Sequence, residues 1–535
     1  MASRNNGIDL QTMISAVREG TLGRRDFMRL AAGAGIAALA TGLLGFPAIA
    51  EPKRGGSFRM GIADGSSNDS LDPATWTSPY ASMFGPSFFG AGLTEIDHNN
   101  SVQPNLAESF ESDASATKWM FKLREKLVFH DGRPVRAADV VATYNYHRGE
   151  NSKSAAKSAL AVIANVSAQD ERTVVFELKS PYVDFPFLTS DYHLGIFPAK
   201  GDDQIEWEKG IGAGPYKLES FQPGVVAKGV RNPDYHKPGL PYFDDVTLLV
   251  MNDVTARTSA LLSGEIHYMS RCDLKTLPML RSNPNIEIDN VVGFSHWISL
   301  MNTQVAPFND LNVRLAIKHA INREEIVEKV AFGAATVAND NPIAPTIKYA
   351  IDPAPKHGFD PEKARHYLKQ AGLDSLTVDL SASDAAFNGA VDVALLISAR
   401  AAEAGITVNV VREAADGYWD NVWMKKPWCM STWGGRPTCD LMFETAYASH
   451  SSWNDTNWHN ARFDELLLAA RGELDEEKRA AMYAEMQQLI HDDGGANVIA
   501  FSNHVAAHSK AVAHGELNSN FEMDGNRILE RWWFV

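Results

Sequence analysis

One stretch of the chain concentrates a residue type that binds small molecules well. Of the twelve tryptophans, six fall within one short segment: Trp419, Trp423, Trp428, Trp433, Trp453 and Trp458. For any single tryptophan a place in the core is the more common role, because the large indole gains much from burial. Indoles that reach a cleft offer flat apolar area, which suits an organic solute. The density therefore marks this segment as a candidate binding region.

A broken loop inside this segment carries polar candidates as well. Residues 431–440 read STWGGRPTCD, so that Trp433, Arg436 and Asp440 stand on a Gly/Pro-interrupted loop after an apolar strand. Loops held by a rigid sheet are where binding residues concentrate. The alternative interpretation is a salt bridge between Arg436 and Asp440 that only stiffens the loop. The residues alone leave both interpretations open.

Motifs of catalysis and nucleotide binding are weak by comparison. The chain has no Gly-x-Ser-x-Gly elbow, no His-Glu-x-x-His and no phosphate loop ending in Gly-Lys-Ser/Thr. Residues 210–216 superficially resemble a dinucleotide loop, but they lead into an extended segment instead of a helix. No helix N-terminus would therefore face a pyrophosphate. We interpret this segment as a tight turn before a strand.

Histidine spacing also argues against a metal or catalytic site. His504 and His508 could share a metal only on a helix, and their apolar, β-rich flanks predict a strand that separates them by about 13 Å. His491 stands beside Asp492 and Asp493 without a nucleophile nearby, which indicates a solvated cluster at a helix C-terminus. The sequence thus predicts no metal, no cofactor and no catalytic residues.

Capped helices and short strands must position any site. Asp360 and Pro361 start a helix that Gly372 ends, and Asp475 starts a second helix that stops at 494–495. Short strands alternate with such helices, at 173–178, 246–250 and 407–411. Alternation over this length predicts α/β lobes with mixed sheets.

Composition limits the class of protein and its partners. The chain has 535 residues, 45% hydrophobic and 22% charged, which is globular composition with enough length for two or three cores. A formal net charge of -16 disfavours nucleic acid and anionic membrane surfaces as partners. The cysteines permit one disulfide with one thiol left over, without choosing the pair, and buried thiols are the more common role; they are Cys272, Cys429 and Cys439.

The first fifty residues predict an export signal. Arg24 and Arg25 precede Phe27, an apolar stretch follows at 30–46, and small residues stand at 48–50 where a signal peptidase cuts. The apolar run, about 17 residues rich in Ala and Gly, is at the short limit for a membrane span. We predict a twin-arginine signal peptide at 1–50 and a mature protein in the periplasm.

Longer blocks of sequence carry a family resemblance. They are NLAESF (105–110), WMFKLREKLVFHDGRPVRAADV (119–140), GAGPYKLESF (212–221), RNPDYHKPGLPYFDDV (231–246), ARTSALLSGEIHY (256–268), MNTQVAPFNDLNVRLAIKHAINREEIV (301–327) and FDPEKARHYLKQAG (359–372). In this order they resemble the family 5 extracellular solute-binding proteins, which include the dipeptide, oligopeptide and nickel receptors of ABC importers.

The resemblance implies a type II periplasmic binding protein fold of two lobes with a two-strand hinge. It places lobe I, itself subdivided, at 51–294 and 505–535, and lobe II at 295–504. A small molecule or short peptide would bind between the lobes, and closure would signal the ABC permease. The family expectation is a monomer and no enzymatic activity.

In peptide receptors of this family, an Asp after the Trp-bearing strand of lobe II holds the peptide's amino terminus. Here Gly435 and Arg436 stand in that place, and the nearest acid is Asp440. Because a guanidinium grips a carboxylate with two parallel hydrogen bonds, Arg436 predicts a carboxylate-bearing, peptide-like or amino-acid-derived solute.

The same resemblance predicts aromatic contacts to the solute. Besides Trp433, we expect Trp297 just past the first strand crossing, Trp419, and Trp76 in the loop after the first strand. Two alternatives stay open, a receptor for a metal chelate of the nickel type and a secreted enzyme exported by the twin-arginine route.

Overall fold

The structure is a computed structural model in which residues 52–535 are described, apart from Thr77, Ser158, 415–417 and Ser452. The predicted signal peptide at 1–50 lies outside the described residues. Among the helices of the described part, none has the length and apolar character needed to cross a bilayer.

The strands belong to one large sheet and three small ones. In chain order they are β1 Ser57–Ile62, β2 Thr94–Ile96, β3 Val102–Pro104, β4 Ala107–Ser112, β5 Lys118–Leu123, β6 Ile163–Ala168, β7 Thr173–Leu178, β8 Tyr216–Gln222, β9 Val226–Arg231, β10 Asp245–Val250, β11 Tyr268–Met269, β12 Ile286–Met301, β13 Ala335–Val337, β14 Leu376–Ala382, β15 Ile406–Arg412, β16 Trp428–Trp433, β17 Ala496–Ser509, β18 Val512–Ala513 and β19 Trp533–Phe534.

The helices lie between these strands and cover the sheet faces. The α-helices of four residues or more are Pro79–Ser82, Ala137–Arg148, Phe185–Leu188, Val254–Ser263, Leu277–Ser282, Leu311–Ala320, Arg323–Lys329, Pro361–Gln370, Ala390–Ala401, Tyr418–Asn421, Cys439–Ala446, Ala461–Gly472, Glu476–Asp493 and Ile528–Arg531. The segment Glu522–Asn526 is a left-handed turn rather than a regular helix, since three of its residues have positive φ.

The large sheet has eleven strands in the order β15-β14-β16-β12-β17-β11-β1-β10-β9-β8, with β13 paired to β17. It is mixed: β14 runs parallel to β15 and to β16, whereas β12 is antiparallel to both β16 and β17. The sixteen-residue β12 and the fourteen-residue β17 lie side by side near its middle. Their register shifts between Val292 and His296 and again between Trp297 and Ile298.

Separate apolar clusters form the cores. The largest is built entirely from residues between Phe294 and Phe501. A second, between Ala91 and Ala213, packs around the small sheet β4-β5-β7-β6, and a third draws on both ends of the chain, from Phe58 to Trp532. The central part of the chain therefore has its own core.

Most local predictions are confirmed. Asp360 caps Pro361–Gln370, Asp475 caps Glu476–Asp493, and all three short strands form. The Gly-rich segment at 210–216 leads into β8, and His504 and His508 both lie on β17. All three cysteines are buried free thiols.

One local prediction is wrong. His491 is not part of a solvated cluster, because its side chain is fully buried and stacks on His357 with ring centroids 3.7 Å apart. Only the neighbouring Asp492 and Asp493 reach solvent, with side chains 54% and 40% exposed. The helix turns its last histidine inward, where the His357 ring covers it and Asp492 Oδ1 lies 2.8 Å from its Nδ1.

Candidate ligand-binding cleft

Two neighbouring cavities lie where β12 and β17 run side by side, with volumes of about 550 Å³ and about 280 Å³. We call them together the cleft. Four residues line both cavities: Arg271, Ser295, His504 and Glu522. Ser295 falls in the register shift of β12 and His504 lies on β17, so the two long strands build the junction. Cavities of about 300–1,000 Å³ are usual for small organic ligands.

An aromatic pair forms part of the wall of the larger cavity. Trp297 and Phe387 stack with ring centroids 4.7 Å apart and planes within 6° of each other, and both line that cavity. Thr432 pairs with Trp297 across β12 and β16, so its side chain shares the same sheet face and lines the cavity as well. The structure thus brings one predicted aromatic contact, Trp297, to the cleft.

Charged residues that sequence reasoning missed also line the cleft. Arg271 Nε donates to Glu522 Oε1 at 2.7 Å, and another of its nitrogens pairs with the Asp64 carboxylate. Burial disfavours the charged form, but the carboxylates outweigh it and raise the pKa of Arg271. Two acids therefore balance this cation within the protein, and little of its charge is left for a ligand.

The loop after β16 reaches the smaller cavity through its glycines. Gly434 lines that cavity. Gly435 has φ +69°, and a Cβ there would lie 2.4 Å from the backbone carbon of Phe294, which also lines the cavity. Only glycine permits this conformation and this close approach of the loop to β12. The two glycines thus seat Arg436 beside the junction of the strands.

Arg436 is a cation without an acidic partner in the described part of the chain. Its Nη1 donates to the Gly435 carbonyl oxygen at 2.7 Å, and its guanidinium carbon lies 6.0 Å from the Trp433 ring centroid. Burial lowers the pKa of Arg436, with no carboxylate opposing that effect. Burial also lowers the pKa of nearby His296 to about 4, so this imidazole is neutral at physiological pH and adds no charge beside the guanidinium. The guanidinium therefore has N–H groups and a positive charge that no carboxylate of the described residues pairs with.

The predicted alternative for Arg436 is wrong. Asp440 pairs instead with Arg471, whose Nε lies 3.0 Å from Asp440 Oδ1. Asp440 stands in the first turn of Cys439–Ala446 and is 1% exposed, and burial raises its pKa to about 6 even beside Arg471. The helix begins directly after Thr438 and carries Asp440 away from the loop. A solute in the cleft finds no surface of Asp440 to contact in this conformation.

Trp433 belongs to an aromatic cluster on the other face of β16 from Thr432. It is 7% exposed, and its indole N–H donates to Asp455 Oδ2 at 3.1 Å, as does that of Trp423 at 3.2 Å. Trp453 packs on Trp433 with centroids 5.9 Å apart. Asp455, which sequence reasoning missed, is buried, and this burial raises its pKa to about 7.

Two other predicted contacts lie apart from the two cavities. The side chain of Trp76 has no exposed surface, because it packs edge-on against Phe84, Phe89 and Phe197 in the third apolar cluster. It offers a solute nothing to contact in this conformation. Trp419 is 42% exposed and lies 5.9 Å from Trp423 at the outer side of the tryptophan cluster.

The raised pKa of Asp455 predicts a pH-dependent stability. The folded protein holds a proton on this carboxyl that the unfolded chain, with a pKa near 4, has already lost, so stability falls as pH rises from about 4 to 7. Asp455→Asn removes this titration and keeps an oxygen for the indoles. Between pH 5 and 6.5 the wild type should lose about 2 kcal/mol of unfolding free energy through this titration. Asp455→Asn should not show this loss. Urea unfolding at both values measures this, and Asp379→Asn, on an exposed strand position, is the control; parallel pH profiles for Asp455→Asn and wild type would contradict it.

Comparison with known proteins adds a family and relatives. Residues 101–455 match the family described as bacterial extracellular solute-binding proteins, family 5. The chain is 26% identical over 489 residues to a glutathione-binding protein of Salmonella typhi, covering 88% of this chain and 93% of the relative. It is 25% identical over 476 residues to an oligopeptide-binding protein of Bacillus subtilis, covering 83% and 86%.

Solved structures share the fold. The structure of HbpA2 from Haemophilus parasuis superposes with a TM-score of 0.79 at 21% identity, covering 88% of this chain and 99% of the other. At 21% identity the similarity shows a shared fold, and it does not extend to the side chains that line the cleft.

Proposed function

The chain belongs to the bacterial extracellular solute-binding proteins of family 5, and we propose that it captures a small carboxylate-bearing solute between two lobes. The solute is peptide-like or derived from an amino acid, and the closed complex delivers it to the permease subunits of an ABC importer. The protein works as a monomer in the periplasm, which it reaches by the twin-arginine route.

Family membership settles the class of protein. It is a substrate-binding protein of an ABC importer and not an enzyme, since its relatives bind solutes. The predicted fold, a type II periplasmic binding protein with mixed sheets, is confirmed. The alternative of a secreted enzyme therefore does not apply.

We assign 51–294 and 505–535 to lobe I and 295–504 to lobe II, with crossings near 293–295 and 501–503. The shift of register between Val292 and His296 supports this assignment, because a bulged strand pair can bend without breaking a core. The composition of the cores supports it too, since the largest cluster uses only residues from Phe294 to Phe501.

A contact away from the crossing strands would hold the lobes together. Arg479 Nη2 lies 2.5 Å from Asp184 Oδ2, and the two side chains are 5% and 7% exposed. By the assignment above, Asp184 belongs to lobe I and Arg479 to lobe II. A buried ion pair is costly to break on one side only, so this pair would favour the closed form.

The observation that carries the proposed solute is Arg436. Arg436 is partly buried and has no acidic partner among the described residues. It does not itself line either cavity, but it stands two positions after Gly434, which lines the smaller one. A desolvated guanidinium gains most from a carboxylate that it can grip with two hydrogen bonds. Trp297 and Phe387 supply an apolar wall for the rest of the solute.

One observation favours the metal chelate as a second candidate. His504 lines both cavities, and burial lowers its pKa, so that its ring is neutral at physiological pH. A neutral imidazole can complete the coordination of a chelated metal. Native mass spectrometry of the protein from its own host, with metal analysis of the same sample, separates the candidates. A retained metal-free carboxylate supports the proposal, and a retained metal complex supports the chelate.

Closure around the solute should be visible in solution. Small-angle scattering should show a smaller radius of gyration with solute than without it, because only the closed form contacts the solute from both lobes. Asp184→Asn should enlarge the radius of the solute-free form and weaken binding about tenfold, since closure then buries Arg479 without its partner. Asp202→Asn, at an exposed position of the same lobe, is the matched control. A radius that stays the same at saturating solute would contradict hinge closure.

A further inference from the structure

Three side chains that are distant in sequence converge near one end of the crossing strands. Asp289 on β12, His508 on β17 and His514 just after β18 offer one carboxylate oxygen and two imidazole nitrogens within 4.8 Å of one another. None of them is among the residues that line the two cavities of the cleft. The group is therefore separate from the proposed solute site.

The distances leave two buried atoms without hydrogen bonds. His514 Nε2 lies 3.2 Å from Asp289 Oδ1, but His508 Nε2 lies 3.7 Å from Asp289 Oδ2, which is too long for a hydrogen bond. Within the described structure, Asp289 Oδ2 and His508 Nε2 have no hydrogen-bond partner. His508 is 1% exposed and Asp289 is 9% exposed, so water does not freely replace the missing partners.

The other ring nitrogens settle the tautomers. His508 Nδ1 lies 3.1 Å from the Ser509 carbonyl oxygen, and His514 Nδ1 lies 2.7 Å from that of Gly515. A carbonyl oxygen only accepts, so each Nδ1 carries the proton, and each Nε2 of a neutral ring presents a lone pair to the carboxylate. Lone pairs facing an anion repel it, and a cation between them, either a proton or a metal ion, removes that repulsion.

We propose that Asp289, His508 and His514 bind one divalent transition-metal ion, with Zn²⁺ the best fit. Zinc bonds of about 2.0–2.2 Å in a tetrahedron place neighbouring ligand atoms about 3.4 Å apart. Each imidazole nitrogen lies near this distance from a different oxygen of the carboxylate, His514 Nε2 at 3.2 Å from Oδ1 and His508 Nε2 at 3.7 Å from Oδ2, so small side-chain rotations would bring both rings and the carboxylate onto one ion. Two imidazoles and a carboxylate suit zinc better than Mg²⁺ or Ca²⁺. The side chain of His514 is 18% exposed, which leaves it room to rotate and leaves the ion a way in.

The ion would act as a clamp on the structure. Asp289 and His508 stand on the two long strands that we assign to the hinge, and His514 leads into the C-terminal segment. Trp532 from that segment packs on both rings, with centroids 4.9 Å from His508 and 4.4 Å from His514. One ion would thus link β12, β17 and the C-terminal segment.

Metal titration of untagged protein tests the proposal. After treatment with EDTA and dialysis, calorimetry with Zn²⁺ alone should show one site per chain, and Zn²⁺ should raise the Tm. His514→Ala should bind Zn²⁺ at least tenfold more weakly and lose the Tm shift. His450→Ala, which removes a histidine that is exposed and outside the triad, should bind like the wild type.

Asp289→Asn is a second variant that keeps the shape of the side chain, so that the test does not depend on correct folding of His514→Ala alone. It too should lose the site, and Co²⁺ should give a tetrahedral visible spectrum with the wild type only. Wild-type protein that binds no stoichiometric Zn²⁺ at micromolar concentration would overturn the proposal. So would wild-type affinity in both Asp289→Asn and His514→Ala. In either case, protons on the imidazoles are sufficient to hold the cluster together.

Discussion

Arg436→Ala should weaken the binding of a carboxylated solute by about 2 to 5 kcal/mol, which is roughly thirtyfold to several thousandfold in Kd. Arg436 has no acidic partner among the described residues, so its charge is available to the solute. Removing it leaves the solute carboxylate desolvated and unpaired in the closed cleft. Titration calorimetry with the solute identified by native mass spectrometry measures the loss.

The stability of the free protein distinguishes an anchor from a merely structural arginine. Arg436→Ala should leave the Tm of the solute-free form unchanged or higher, because the substitution removes a charge that burial disfavours. Arg462→Ala, at an arginine 55% exposed and paired with Glu485, should leave affinity unchanged. An amide analogue of the solute should bind both Arg436→Ala and wild type equally weakly. Wild-type affinity in Arg436→Ala would refute the anchor.

The sequence predicted the elements well wherever local rules decide them. Asp360 and Asp475 cap helices because their carboxylates accept backbone N–H groups, and this needs no knowledge of the rest of the fold. The loop after β16 is predictable for the same reason, since two consecutive glycines, Gly434 and Gly435, indicate a backbone conformation that other residues rarely adopt. Arg436 was therefore predictable as a candidate, although its isolation from Asp440 was not.

The partners of these residues could not be predicted, because they depend on packing between distant segments. Arg271 pairs with Glu522, 251 positions away in the sequence. Asp440 pairs with Arg471 instead of Arg436, because a helix begins at Cys439 and orients Asp440 away from the loop. The sequence argument against a metal at His508 considers only His504, four positions away on the same strand. The approach of Asp289 and His514 became visible only in the structure. Long-range pairing is the information that local patterns lack.

A buried charge cluster that resembles catalytic machinery lies in the segment that we propose as lobe II. Arg323 Nη2 lies 2.7 Å from Asp340 Oδ1, and His357 Nδ1 lies 2.8 Å from Asp340 Oδ2. Lys318 is fully buried nearby, and burial lowers its pKa to about 8. Asp340 and Lys318 have no exposed surface, however, and their contacts are internal: Asp340 Oδ1 also accepts from the Val498 N–H of β17, and Lys318 Nζ donates to the His491 carbonyl oxygen. The cluster therefore supports strand β17 rather than a reaction.

Asp340→Asn should lower the free energy of unfolding by about 3 to 5 kcal/mol at pH 7. The cations around Asp340 outweigh its burial and hold its pKa well below the usual range, so the carboxylate is charged and its loss leaves Arg323 buried without a counter-ion. Asparagine tolerates the φ of +52° at this position, so backbone strain does not confuse the result. Urea unfolding measures the effect, with Asp352→Asn as control, because that aspartate is 57% exposed in a surface pair with Lys356 and should change stability by less than about 0.5 kcal/mol. A loss below about 1 kcal/mol for Asp340→Asn would mean that the backbone carbonyls around Arg323, rather than the carboxylate, carry most of its charge compensation.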